Sequence, residues 1–219
     1  MPVCSSELLS RQDLRSVFAK SDTEREKIGL EVESGVVDPD SGLAAPYGGR
    51  GGIADLFKTI AAEFGGEPHF EGGYLTGIRQ GSGAQVTLEH GGAVEYASAP
   101  AEDLVTVVEE TQAAMTRLAE IARGFGLAIL PGANLPFNGI ENVPWVPKPR
   151  GPLMREYYAR LGDSGTGGAP MMALSLSTQV SLDYLSEADL TEKLRMQLAA
   201  TPVVTAMLVN SPLDDLFQG

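Results

Sequence analysis

The sequence predicts an α+β fold, and two observations carry that reading. Apolar residues recur at three- and four-residue spacing over residues 104–125, while apolar and polar residues alternate over 27–33, 85–96 and 174–184. A third observation sets the scale. With 219 residues, 43% of them hydrophobic and 21% charged, the chain can bury a core, and one domain over residues 1–219 is expected.

The helices follow in order. Periodicity predicts helices over 8–18, 53–64, 104–125, 153–161 and 188–198. The longest is entered near Pro100, carries Leu104, Val107, Val108, Thr111, Met115, Leu118, Ala122 and Phe125, and leaves at Gly124 and Gly126. The 188–198 helix opens with Ser186-Glu187-Ala188-Asp189, a hydroxyl cap followed three residues later by a carboxylate. Pro202 predicts a break, with a further helix over 203–209. Residues 132–152 hold Pro136, Pro144, Pro147, Pro149 and Pro152, which places a loop there.

The strands carry the chemistry. Side chains alternate along a strand, so Ile28, Leu30 and Val32 share one face while Gly29, Glu31 and Glu33 share the other. Val86 and Leu88 oppose Thr87 and Glu89. His90-Gly91-Gly92 then makes a tight loop into Ala93-Val94-Glu95-Tyr96, where Glu95 opposes Val94 and Tyr96. In 174–184, Leu174, Leu176, Val180, Leu182 and Tyr184 line one face and Ser175, Ser177, Gln179, Ser181 and Asp183 the other. Carboxylates thus gather on polar strand faces. A solvated sheet surface gives the same pattern, but such surfaces mix Lys and Arg with Glu, and these faces lack them. They also carry Gly29, Gly91 and Gly92, which leave room for a ligand against the backbone. A cation or polyphosphate site fits both details.

Composition excludes several function classes. Sixteen Lys+Arg against 29 Asp+Glu give a net charge of −13, which repels nucleic-acid phosphates and anionic membranes. The lone Cys4 excludes an internal disulfide framework, and with only His69 and His90 beside it, a zinc finger as well. The N-terminus shows no basic region followed by an apolar one, and no apolar run approaches the ~18 residues of a membrane span. A soluble, cytoplasmic protein is expected.

These residues also carry a resemblance. Gly29-Leu30-Glu31-Val32-Glu33 resembles the G-x-E-x-E strand of the glutamate–cysteine ligases, and Leu88-Glu89-His90-Gly91-Gly92-Ala93-Val94-Glu95 is similar to their L-E-P-G-G-Q-x-E hairpin. Pro147-Lys148-Pro149-Arg150 with Met154-Arg155-Glu156-Tyr157-Tyr158 resembles the P-K-x-R-Y-x-x-M-R-x-Y-M segment of the plant and proteobacterial branch. Met171-Met172 through Gln179-Val180-Ser181-Leu182-Asp183-Tyr184 resembles the M-M-x-x-T-x-T-x-Q-V-N-L-D strand. Ser186 to Asp189, Lys193 and the run ending Asn210-Ser211-Pro212 extend the likeness. The five motifs stand in the family's order.

The resemblance implies a glutamine-synthetase-like fold, a curved antiparallel sheet with helices on its outer face. It implies an ATP- and Mg²⁺-dependent ligase that phosphorylates the γ-carboxylate of glutamate, after which the amine of cysteine attacks the acyl phosphate. Glu31, Glu33 and Glu95 would ligate magnesium, Glu89 and Arg150 would hold the nucleotide, and Arg155 and Gln179 would serve catalysis. Mg²⁺ takes hard oxygen ligands, commonly carboxylates with phosphate oxygens, which these strands offer. No G-x-x-x-x-G-K-[ST] occurs as another phosphate cradle. The implied partners are small molecules: glutamate, cysteine or another amine, and ATP. The pathway, glutathione, ergothioneine or a specialised product, stays open.

The sequence departs from the family pattern at Ala93 (Gln in the family), His90 (Pro), Leu174 (Arg), Ser175 and Ser177 (Thr), and Gly151 (Tyr). The family also continues well beyond Gly219. A second expectation therefore stands beside the ligase: a non-catalytic or partial member, acting as a binding or regulatory subunit, self-associating as a homo-oligomer or joined by a complementing chain. Among single residues, His90 beside Glu89 reads as a metal ligand or, more simply, a solvated turn histidine, His69 has no supporting context, and Trp145 covers a substrate or, more simply, anchors its loop to the core. The stretch Tyr47-Gly48-Gly49-Arg50-Gly51-Gly52 offers backbone N–H groups to a phosphate or serves as a flexible helix entry.

Overall fold

A computed structural model describes residues 10–18 and 25–209. Cys4, residues 8–9 of the first expected helix and the Asn210-Ser211-Pro212 segment lie outside the described residues. In chain order the elements are α1 (Arg11–Phe18), β1 (Ile28–Val37), α2 (Ile53–Phe64), β2 (Glu67–Glu71), β3 (Tyr74–Arg79), β4 (Gln85–Leu88), β5 (Val94–Ala97), α3 (Leu104–Gly124), β6 (Ala128–Leu130), α4 (Arg150–Arg160), α5 (Gly168–Leu174), β7 (Thr178–Leu182) and α6 (Glu187–Met207). Cα packing divides the described residues into two compact units, one of 10–18, 25–27 and 182–208, the other of 28–181 with 209. Among the described residues no helix is long and apolar enough to cross a membrane.

The larger unit is α+β, as the sequence predicts. Its sheet runs β2-β3-β4-β5-β1-β6, with antiparallel ladders between neighbours, and β7 pairs with β1 beside β6. The alternation read in β1, β4 and β5 sets which face is apolar. Val36, Ile78, Val86, Leu88, Val94 and Tyr96 meet Ile53, Leu56, Phe57 and Ile60 of α2 and Ala114, Leu118 and Ala122 of α3. The four large side chains of α2 are at most 1% exposed, and such burial contributes about 2 kcal/mol each. A second apolar cluster gathers Val37, Ala93, Leu135, Val143, Ala173, Leu174 and Leu176.

Local chemistry fixes the ends. Asp103 caps α3 by accepting from the Thr106 N–H at 2.9 Å, and Gly126 takes φ +73° just past its exit. The β4–β5 turn closes with the Glu89 N–H donating to the Ala93 carbonyl at 2.8 Å, and Gly92 there holds φ +87°. Gly91 beside it has no alternative: a Cβ would stand 1.8 Å from the Ala173 carbonyl oxygen.

Four expectations need correction. Residues 174–184 are not one strand: α5 ends at Leu174 and β7 covers only Thr178–Leu182. Pro170 sits in the first turn of α5, where its missing N–H costs nothing. Leu174 and Leu176 enter the second cluster from a helix end and an extended stretch, which mimics a two-residue period. The strand β7 is exposed along its whole length, so Val180 and Leu182 form no buried face. Helix α4 starts at Arg150, three residues early, and α6 runs unbroken through Pro202. The carbonyl that Pro202 leaves without a donor belongs to Leu198, which is exposed to water. In the smaller unit, the Ser186 hydroxyl caps α6 by accepting from the Asp189 N–H at 3.2 Å, and Lys193 reaches Glu26, Asp189 and the Asp183 carbonyl.

Candidate functional site

The face of the sheet opposite α2 and α3 carries the acidic residues. Register places Glu33 of β1 directly across from Glu95 of β5, and Glu95 across from Thr87 of β4. Glu31, two residues from Glu33, shares that face. Glu31, Glu33 and Glu95 are thus on one side of the sheet, the arrangement expected from alternation.

Each of the central carboxylates is held. A Glu33 oxygen accepts from the Ser177 N–H at 2.8 Å, while the Glu33 N–H donates to the Ser177 carbonyl at 2.9 Å. Glu95 accepts from the Thr87 hydroxyl at 3.1 Å. Burial pushes the Glu33 carboxyl above its usual range against the pull of the Ser177 bonds, with Glu89 and Glu31 adding like charge. Burial raises Glu95 as well, followed by the charge of Glu89, with Glu31 and Glu33 as smaller contributors. Repulsion among carboxylates is therefore present, but loss of water is the larger cause.

Among the described residues, no three His, Cys, Asp or Glu side chains are close enough together to hold a metal ion by themselves. The donor set is nonetheless of the kind Mg²⁺ uses, since that ion keeps several waters and binds through one or two carboxylates plus phosphate oxygens. Two partly buried carboxylates with raised proton affinity are poised to gain from a cation.

Two clefts open on this face. One, of about 370 Å³, is lined by Glu33, Glu89, His90, Lys148, Arg150 and Ser177 among others. The other, of about 470 Å³, is lined by Glu71, Thr76, Arg79, Thr87, Glu89 and Lys148 among others. Glu89 and Lys148 belong to both. Arg150 stands at the first residue of α4, and its charge reaches His90.

Not every expected residue converges: of Glu31, Glu33 and Glu95, only Glu33 lines one of these clefts. Gln179 is exposed on β7, donating to the Ser177 hydroxyl at 2.9 Å, and lines neither cleft. Arg155 is exposed on α4, its guanidinium 4.5 Å from the Trp145 ring centroid, and also lines neither. Trp145 packs against the second apolar cluster, the anchoring role read for it. The solvated-turn reading of His90 is corrected: the residue is 8% exposed, and its Nδ1 is enclosed beside Gly151 without a hydrogen-bond partner among the described residues. Burial, then the charge of Lys148, holds it below the usual histidine range. His69 lines the second cleft. In the glycine-rich entry to α2, the Gly51 N–H donates to Asp55. Sequence reading gave no role to Lys148, although the P-K-P-R motif contained it, nor to Thr87 and Ser177 as holders of Glu95 and Glu33.

The chain resembles known proteins over most of its length. The profile of glutamate-cysteine ligase family 2 matches residues 27–215. The chain is similar to "Glutamate--cysteine ligase, chloroplastic" of Nicotiana tabacum, 32% identical over 213 residues, and to the protein of that name from Arabidopsis thaliana, 33% identical over 215. Each match covers 97% of this chain and 40% of the relative, so the chain spans about two fifths of the length of these curated relatives. With the acidic strand, the glycine hairpin and the basic loop all inside the matched region, the chain belongs to the glutamate–cysteine ligase family.

Proposed function

We propose that this chain carries the nucleotide- and glutamate-binding face of an ATP- and Mg²⁺-dependent carboxylate–amine ligase, forming γ-glutamylcysteine or a close γ-glutamyl product. The observation that carries the reading is the placement of Glu33 directly across from Glu95, both partly buried, with Glu33 lining a cleft that also presents Lys148 and Arg150. On this reading the fold is of the glutamine-synthetase-like type. Mg²⁺ would be held from among Glu31, Glu33 and Glu95 with phosphate oxygens and water completing its shell, and would neutralise charge on the phosphates. Glu89 and Arg150 would hold the nucleotide. The γ-phosphoryl group passes from ATP to the γ-carboxylate of glutamate, releasing ADP; the amine then attacks that carbonyl and phosphate leaves. Catalysis of this kind rests on positioning and electrostatics, and the chain's own part is to orient two anions on one acidic face.

Calorimetric titration with MgATP, then with glutamate, tests the reading. Glu33→Gln is expected to weaken Mg²⁺-dependent nucleotide binding about tenfold while the fold persists, since one carboxylate charge is lost and the Ser177 bond can be kept. Unchanged affinity in that variant counts against the ligand assignment. A second reading, a binding or regulatory member without turnover, is favoured by Arg155 and Gln179 lying outside both clefts. ADP release that requires both glutamate and an amine separates the two: its absence alongside retained MgATP binding selects the second.

A further inference from the structure

Lys148 has an unusual environment for an ammonium group. Its side chain is only 12% exposed, yet its nearest carboxylate, Glu71, is 3.7 Å away, and among the described residues its Nζ makes no hydrogen bond. An ammonium has three donors and a high cost of desolvation, so such a group is stable where an anion completes its shell. Both clefts reach it.

Its backbone is fixed on both sides. Lys148 lies between Pro147 and Pro149, whose φ angles are locked by their rings. The Val146 N–H donates to the His90 carbonyl at 3.0 Å, tying the loop to the β4–β5 turn. On the other side the β2–β3 turn packs close: a Cβ on Gly72 would meet Pro149 at 3.3 Å and the Pro147 carbonyl at 3.7 Å. Glu71 is held in turn by the Thr76 hydroxyl, which donates to it at 3.3 Å, and Thr76 is 1% exposed. Such support is what a preorganised charge requires.

We propose that Lys148 holds the oxyanion shared between the two clefts, a phosphoryl group or the carboxylate that receives it, and that Glu71 is its positioning residue. The inference rests on the proposed reading of these clefts as nucleotide and amino-acid sites. The residues common to both clefts mark where two substrates meet; of these Lys148 can pair directly with an oxyanion, whereas Glu89 can reach a nucleotide only through a cation or a neutral donor group.

Calorimetry on the full chain with three probes, inorganic pyrophosphate with MgCl₂, MgATP, and glutamate, tests it. Lys148→Met is expected to lose about tenfold or more in affinity for at least one probe, the worth of one charge-assisted hydrogen bond. Lys148→Arg should recover part of that loss, and Glu71→Gln should lose less than Lys148→Met. A loss confined to pyrophosphate and MgATP assigns the phosphoryl group; one confined to glutamate assigns the carboxylate. If the parent binds a probe and Lys148→Met binds all of them equally well, the inference is overturned while the ligase reading stands. If the parent binds none of the three, both fall. Should Lys148→Met not fold, reductive ¹³C-methylation of the parent's five lysines gives an independent readout. The Lys148 methyl resonance must shift on saturation with a bound probe, and an unshifted resonance overturns the inference.

Discussion

The Glu33 carboxyl accepts a hydrogen bond from Ser177 and still has its proton affinity raised, so its desolvation outweighs that favourable contact. The consequence for stability has a definite sign. A carboxyl raised in the folded state keeps a proton that the unfolded chain has released, so stability falls as pH rises from the ordinary carboxylate pKa, ~4.3, through the raised folded value. Glu95 adds in the same direction. Glu33→Gln combined with Glu95→Gln should therefore flatten the ligand-free pH–stability curve, gaining Tm over the parent between acid and neutral pH and little below it. Thermal melts across that range check it; parallel curves would show that neither group is desolvated. Leu174 supplies a second residue-scale prediction. It stands where the family pattern has arginine, but here it is 9% exposed inside an apolar cluster with Leu135 and Leu176. Leu174→Arg should cost about 2–4 kcal/mol, seen as a lower denaturation midpoint, rather than restore a guanidinium to the site. Alternation placed Glu31, Glu33 and Glu95 on one face from sequence because strand period is local; the burial of His90 was not legible, since it depends on Gly151 some sixty residues away.

At the scale of elements, the β4–β5 turn is wedged against α5 through Gly91. Gly91→Ala would drive a methyl group to 1.8 Å from a backbone oxygen, and the hairpin and α5 must separate. A loss of about 1–3 kcal/mol is expected, with weaker ligand binding because Glu89 and His90 move with the turn. Urea denaturation alongside MgATP titration measures both. In the smaller unit, Ser186→Ala removes the cap of α6 and should cost about 1 kcal/mol of helix stability by circular dichroism. That cap was readable from Ser186 and Asp189 alone, as was the α3 helix from its spacing. The β2–β3 hairpin was not read, although Gly72-Gly73, both at positive φ, form the two-residue turn such hairpins favour. The strand β2 is almost wholly exposed, and in β3 the buried residues Thr76, Gly77 and Ile78 are consecutive, so neither shows the apolar alternation that reveals a strand. The short β6 has only three residues, too few for any period to register.

For the whole molecule the governing quantity is a net charge of −13, with the like charges of Glu31 and Glu89 bearing on both Glu33 and Glu95. Two effects of added MgCl₂ must then be separated. Any salt screens the general repulsion, with a Debye length of about 10 Å at 0.1 M, and should raise stability modestly whatever its cation. A cation that binds the folded face adds RT ln(1 + [Mg²⁺]/Kd), about 1.4 kcal/mol at ten times Kd, or about 3–5 °C in Tm for a chain of this size. The parent should therefore melt higher in MgCl₂ than in NaCl at matched ionic strength, and the increment should grow with pH as Glu33 and Glu95 lose their protons. In the Glu33→Gln, Glu95→Gln protein the two salts should act alike, because only screening remains. Differential scanning calorimetry in both salts checks it: equal midpoints for the parent would mean that the acidic face gathers charge without binding the ion, and a magnesium increment surviving in the double variant would move the site elsewhere on the chain.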